Sequence, residues 1–369
     1  MNVPFLDLKA TYLELQTEID EAVQRVLLSG NYIGGAEVEG FENGFADFCG
    51  ARHVVGVANG LDALKLALLA LDVGPGDEVI VPSHTFIATW LSVSQCGATP
   101  VPVEPAKGWF NIDPQQVAEH ITPRTKGIIP VHLYGEPADL APLIDIANRH
   151  GLFVLEDAAQ AHGAFYRGRR IGSHGHAVAW SFYPGKNLGA FGDGGAVSTN
   201  DEMLARRVRM LGNYGSRTKY VNNLIGYNSR LDPIQAAILR AKLHRIDEWN
   251  ARRSAIAERY SQALGSQLAT PACPQEHQGH AWHLYVIRYH ERDRLQQQLS
   301  NAGVTTLIHY PRPPHLQDAY VPLGFGPGSF PLAEEYADTL LSLPIGPHLN
   351  QAQVDHVIDA VKNSVSSIS

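Results

Sequence analysis

The chain has 369 residues, of which 44% are hydrophobic and 18% charged, and its formal net charge is −8. That length and balance support a large core, built as two domains or one large one, and exclude a disordered chain. The acidity, with no segment dominated by Lys or Arg, argues against nucleic acid as the main partner.

The cysteines Cys49, Cys96 and Cys273 are odd in number and far apart, which argues against a disulfide framework or a zinc cluster and fits a reducing compartment. The N-terminal MNVPFLDLKATYLELQ has no basic segment followed by an apolar core, so it does not read as a signal peptide. No apolar run reaches the roughly 20 residues that a bilayer span needs. A cytoplasmic location is expected, with no membrane partner.

From about Ala51 short apolar runs alternate with amphipathic stretches. His53–Ala58 (HVVGVA) reads as a strand and Leu61–Leu71 (LDALKLALLAL) as a helix. GPGD marks a turn before the strand Glu78–Val81. Pro100–Val103 and Gly127–Val131 read as two more strands, and Pro142–His150 as a helix. Leu152–Leu155 (LFVL) is an apolar strand running into Glu156 and Asp157. The alternation predicts an α/β fold with a largely parallel, buried sheet. Pro233–Leu264 reads as one long helix, because Ile234, Ile238, Ala241, Ile246, Trp249, Ile256 and Tyr260 recur at roughly helical spacing. Beyond it come a strand at His283–Tyr289, a helix near Arg292–Asn301, an irregular Pro-rich stretch at Tyr310–Pro331 and a terminal helix near Gln351–Ser364. The boundary is placed near residue 250, giving a large domain over 1–250 and a small C-terminal α+β domain over 251–369.

Four features carry chemistry. Lys186, in SFYPGKNLGAFGDGG, follows the apolar run Val178–Tyr183 where a strand gives way to a loop. Aromatic and glycine neighbours would desolvate its ammonium, and desolvation frees a lysine amine as a nucleophile. Asp157 ends the LFVLED strand, and in open α/β sheets ligands bind beyond the carboxyl ends of the strands. A carboxylate there can hold the proton of a protonated pyridine nitrogen, as pyridoxal phosphate (PLP) requires to act as an electron sink. The plainer reading of Asp157 is an N-cap for the AAQAHG segment. Asn59-Gly60-Leu61 precedes a helix, so its N–H groups and the helix dipole suit an anion; Ser181 could offer its hydroxyl to the same phosphate. Phe86, in PSHTFIAT, could stack on a planar ring, or simply pack in the core.

In this order the segments resemble the fold type I PLP enzymes, and more closely the DegT-type nucleotide-sugar aminotransferases. The resemblance runs from PFLDL and GNYIGGAEVEGFE through NGLDALKLAL, EVIVPSHTFIAT, EDAAQAHGA, SFYPGKNLGAFGDGG and GYNSRLDPIQAAIL to HYPRPPH. It implies that Lys186 holds the cofactor as a Schiff base and moves the proton between cofactor and substrate carbons. Asp157 would pair with the pyridine nitrogen, and Gln160, on the same helical face, would reach the ring hydroxyl. Gly60, Leu61 and Ser181 would bind the phosphate, joined by Asn228 from the neighbouring subunit of a homodimer. Many members carry Thr where this chain has Leu61, so only a backbone N–H is offered there. Some members replace the lysine with histidine and dehydrate sugars; Lys186 disfavours that activity. Tyr183, His309 and Tyr310 are the candidates for holding the sugar, and Lys219 and Tyr220 for the nucleotide diphosphate, although those two could simply close a solvated loop.

The reaction implied is transfer of the amino group of L-glutamate to a dTDP-linked 3-keto-6-deoxyhexose. Members acting at C4 tend to carry an RxHG-like segment where this chain reads RMLGNYGSRTKY. A C4 aminotransferase and a PLP-binding regulator without turnover are the alternatives. The histidines His174 and His176, and His277, His280 and His283, are read as structural and no metal is expected. The absence of a GxGxxG fingerprint after a strand disfavours a nicotinamide enzyme.

Overall fold

The computed structural model describes residues 1–271 and 278–368, so the readings at Cys273 and His277 lie outside the described residues. Strands β1 (His53–Val57), β2 (Glu78–Pro82), β3 (Thr99–Val103), β4 (Thr125–Ile128) and β5 (Phe153–Asp157) form one sheet with β8 (Ala177–Ser181) and β9 (Gly195–Thr199), after a small hairpin of β6 (Phe165–Tyr166) and β7 (Arg169–Arg170). The order is β1-β9-β8-β5-β4-β2-β3. Only β9 runs antiparallel to its neighbours. The sheet is therefore mostly parallel, as expected. β9, whose GAVST sequence carries no long apolar run, was not anticipated.

Near-continuous apolar runs such as those of β2 and β5 are buried along their whole length, as strands covered on both faces must be. Along β8, Ala177 and Ala179 join a core with Leu64, Leu68, Trp90 and Val208, while Val178 and Trp180 join another with Phe41, Phe45 and Leu239. The first core is capped by helices α4 (Gly60–Ala70), α5 (Ala88–Gln95) and α8 (Glu202–Gly212), and the second by α3 (Ala36–Cys49) and α9 (Pro233–Leu243). Ahead of these lie α1 (Leu8–Glu14) and α2 (Gln16–Ser29); α6 (Pro114–Val117) and α7 (Leu140–His150) lie between β3 and β5.

The expected helix over Pro233–Leu264 is two helices, α9 and α10 (Ile246–Leu264), broken at His244–Arg245. The apolar spacing is helical on both sides of the break, so the pattern does not reveal it. Ala237 and Ile238 of α9 pack against Val26 and Ile19 of α2, whereas Ile256 and Tyr260 of α10 enter a separate core. The break lets each axis follow its own core. That separate core gathers α10, α11 (Arg292–Asn301), α13 (Gln351–Ile368) and the antiparallel pair β13 (Tyr285–Arg288) and β14 (Leu340–Leu343), together with Val3. Buried Arg253 of α10 donates to the carbonyls of Trp282, His283 and Ile345. Among the described residues, no helix is long and apolar enough to cross a membrane.

Candidate active site

The carboxyl ends of β1, β2, β4, β5 and β8 deliver their following loops to one edge of the sheet. Asp157, last residue of β5, lies beside Ala179 of β8 in register. Its Oδ2 accepts from Thr89 Oγ1 at 3.0 Å and its Oδ1 from the Ala159 N–H at 3.2 Å. Burial pushes this carboxyl above its ordinary range, opposed by those two bonds and by the Lys186 charge. No helix follows: residues 158–163 are turns and irregular chain. The N-cap reading of Asp157 thus falls away, and so does the helical face expected to carry Gln160. Gln160 reaches the site from a turn instead.

Lys186 sits in the turn after β8, its N–H bonded to the Tyr183 carbonyl at 2.8 Å. Burial brings its amine down to about 8, against the pull of Asp157. This is the desolvated lysine that its aromatic and glycine setting implied. The loop is held from outside by α9. The Gln235 side-chain oxygen accepts from Phe191 N at 2.8 Å, and the buried Lys242 ammonium donates to the Gly189 carbonyl at 2.6 Å.

The residues expected to cradle a phosphate meet at the start of α4. Asn59 caps the helix, accepting from Asp62 N at 2.8 Å, and Gly60 is its first residue. A Cβ on Gly60 would stand 2.6 Å from Cβ of Ser181, so glycine is what lets helix and strand end meet there. Leu61 follows in the first turn with its N–H free of helical partners. Ser229, next to Asn228, accepts from the Ala58 N–H at 3.1 Å. Asn228 itself is exposed.

Phe86 is 52% exposed, with its ring centroid 5.4 Å from that of Tyr310; it is not a core residue. Gln160 donates to the Tyr310 hydroxyl at 3.0 Å. His309 is not a surface-loop histidine. Its Nδ1 lies 2.8 Å from Ser342 Oγ, its ring is 5.8 Å from that of Phe5, and burial together with the Lys186 charge brings it down to about 4. Tyr183, whose carbonyl accepts from the Lys186 N–H, is 60% exposed. Lys219 and Tyr220 lie at the turn of a hairpin of β10 (Ser216–Thr218) and β11 (Val221–Asn222), the lysine ammonium 5.2 Å from the Tyr220 ring and Tyr220 87% exposed. Among the described residues, no hydrogen bond or ring contact ties these two, or Asn228, to Lys186.

Sequence reasoning missed several contributors. Thr89 lies in the quoted PSHTFIAT segment, but only the fold shows its hydroxyl on Asp157. His162, in EDAAQAHGA, is fully buried among Phe45, Trp180 and Phe182, and desolvation with the nearby Lys186 charge brings it down to about 3. His283, read as structural, faces the same lysine: its Nδ1 lies 3.2 Å from Asn187 Oδ1, and burial and the Lys186 charge hold it well below its ordinary value. Burial, with the Lys186 charge adding to it, keeps all three imidazoles, His162, His283 and His309, uncharged. Among the described residues, no group of three or more His, Cys, Asp or Glu is placed to hold a metal.

Residues 13–362 match the DegT/DnrJ/EryC1/StrS aminotransferase family. The chain belongs to this family. It is 58% identical to the erythromycin biosynthesis sensory transduction protein EryC1 of Saccharopolyspora erythraea, over 98% of this chain and 99% of that protein. It is 56% identical to a dTDP-3-amino-3,4,6-trideoxy-alpha-D-glucose transaminase of Streptomyces venezuelae, over 98% and 95%. A dTDP-3-amino-3,6-dideoxy-alpha-D-galactopyranose transaminase of Aneurinibacillus thermoaerophilus is 50% identical, over 97% and 98%. The crystal structure of S. venezuelae DesV, in complex with a ketimine intermediate, superposes with a TM-score of 0.97 at 55% identity, covering 99% of this chain and 98% of that one. NtdA of Bacillus subtilis, with its bound cofactor PMP, gives 0.91 at 30% identity, over 99% and 85%. This aminotransferase is therefore a PLP enzyme of the α/β fold expected. Its own residues fit the cofactor: a buried carboxylate, a depressed lysine, a helix start with no room for a Cβ, and an exposed aromatic ring share one edge of the sheet.

Proposed function

We propose that the enzyme transfers the amino group of L-glutamate to C3 of a dTDP-linked 3-keto-6-deoxyhexose, giving a dTDP-3-amino-3,6-dideoxyhexose. The observation that carries this is the Lys186–Asp157 pair, set in a chain at least half identical, end to end, to two named dTDP-3-amino-sugar transaminases. Bound PLP supplies an electron sink for the carbon that gains or loses a proton. Asp157 holds the pyridine nitrogen proton in a buried site, where electrostatic stabilisation is strongest. Gly60, Leu61 and Ser181 receive the phosphate on backbone N–H groups and a hydroxyl. Gln160 holds the ring hydroxyl and Phe86 covers the ring. Lys186, with an amine near 8, attaches the cofactor and carries the proton at Nζ.

On the substrate side, Tyr183, His309 and Tyr310 orient the sugar, while Lys219, Tyr220 and Asn228 act in the neighbouring site of a homodimer. Their exposure in one chain supports that arrangement. The two separate cores support a division near residue 250 into a PLP-binding domain over 1–250 and a smaller one over 251–369. A cytoplasmic location suits substrates of this kind. The regulatory name of the Saccharopolyspora relative keeps a non-catalytic reading in view, but a depressed lysine beside a buried aspartate supports turnover.

The deciding experiment offers dTDP-linked 3-keto and 4-keto 6-deoxyhexoses separately, with glutamate. Turnover of the 3-keto sugar is expected. Preference for the 4-keto sugar would overturn the C3 reading and leave the PLP chemistry standing; no turnover with either would favour the regulator.

A further inference from the structure

Tyr134 belongs to no motif considered above, yet it is the hub of the polar contacts behind the site. It is 2% exposed and lies in a single turn at Leu133–Gly135 with φ 61° and ψ 2°. A buried tyrosine in left-handed backbone persists only where its surroundings hold it, and such residues cluster at functional sites. The surroundings here are tight: a Cβ on the next residue, Gly135, would meet the backbone N of His283 at 2.9 Å and the Gln160 carbonyl at 3.1 Å.

Tyr134 uses both ends. Its N–H donates to Gln160 Oε1 at 2.6 Å, which fixes the amide so that Nε2 donates to the Tyr310 hydroxyl at 3.0 Å. Its own hydroxyl donates to the His309 carbonyl. That hydroxyl is also 2.9 Å from His84 Nε2. Burial keeps the phenol protonated and brings His84 down to about 3, so the imidazole is neutral. Because the hydroxyl donates to a carbonyl, it accepts from His84, which places the imidazole proton on Nε2. The bonds close a ring: Tyr134 to Gln160, Gln160 to Tyr310, across the peptide to His309, and back to Tyr134.

We propose that Tyr134 is a positioning residue that latches the His309–Tyr310 segment to the Gln160 amide, so that the sugar-holding loop and the cofactor-holding amide keep one fixed relation. The proposal rests on the reading of His309 and Tyr310 as sugar-facing. Removing the hydroxyl frees the loop but spares the backbone N–H that orients Gln160. The cofactor side is then retained and the sugar side is not.

The test compares Tyr134→Phe with the wild-type holoenzyme. Leaving the His309 carbonyl and the His84 N–H unpaired corresponds to a loss of about tenfold or more, so KM for the keto sugar is expected to rise by at least about that factor. The glutamate half-reaction, followed by the cofactor spectrum, should stay within about threefold. Without any sugar, backbone hydrogen exchange across residues 305–317 should quicken by a comparable factor. Tyr310→Phe opens the ring at its other join, and its exchange should quicken across the same segment, which keeps the idea testable if Tyr134→Phe folds poorly. Exchange unchanged from wild type in the variants overturns the latch. So does a loss shared equally by both half-reactions. A wild-type protein that ignores every keto sugar would sink the functional reading, while the exchange result still decides the latch.

Discussion

Lys186 and Asp157 bear on each other through opposite displacements: burial lowers the amine to about 8 and raises the carboxyl, and each charge counters the other's shift. Lys186→Ala is expected to abolish transamination and the absorbance of lysine-bound cofactor; full activity in that variant would remove the lysine from the mechanism. Asp157→Asn should retain cofactor yet lose on the order of 10²-fold in kcat, because an amide cannot stabilise a protonated ring nitrogen. An unchanged kcat would make the carboxylate merely structural, a bond acceptor for Thr89 and Ala159. The depressed amine also sets a pH dependence. Below about 8 Lys186 is mostly the ammonium, and only the neutral amine adds to an aldehyde. Capture of PLP by the apoprotein should therefore speed up as pH rises and level off above about 8, read by stopped-flow absorbance. A rate still climbing past pH 10 would mean that the lysine is not desolvated.

At the scale of elements, two helices serve the site without touching the reacting atoms. The start of α4 can bring its free N–H groups up to Ser181 only because Gly60 has no Cβ. Gly60→Ala forces a Cβ to 2.6 Å from the serine Cβ. Overpacking of that kind displaces the helix start, and PLP affinity should weaken by about tenfold or more; equal affinity, measured by equilibrium dialysis, would show that the phosphate binds elsewhere. Helix α9 holds the Lys186 loop through Gln235 and Lys242. That role was not legible in the sequence, where α9 and α10 merged into one apolar stripe. Nor was β9, since small residues in GAVST give no period to read. The runs of β2, β5 and β8 were legible because burial on both faces demands a continuous apolar strand.

The whole molecule raises the question of what completes the site. Asn228 and the hairpin carrying Lys219 and Tyr220 are exposed in one chain. If Asn228 acts in trans, mixing Lys186→Ala and Asn228→Ala subunits should restore activity that neither has alone at limiting cofactor. Random pairing makes half the dimers mixed, each with one intact site, so recovery should approach about a quarter of wild type. No recovery after subunit exchange would place Asn228 in its own subunit's site.

The sequence by itself determined the α/β alternation, the lysine after a strand, the aspartate at a strand end and the glycine before a helix, because each is a local pattern of burial, turn chemistry or capping. It also carried the ordered segments that mark the family. Only the tertiary structure decided which residues meet. It brought Thr89 to Asp157 across 68 positions and set three uncharged imidazoles around Lys186. It also turned Tyr134 into left-handed backbone between Gln160 and His309, 175 residues away from the latter. Contacts of that range depend on how the sheet orders its strands and how the small core closes over them, and no periodicity along the chain encodes either one.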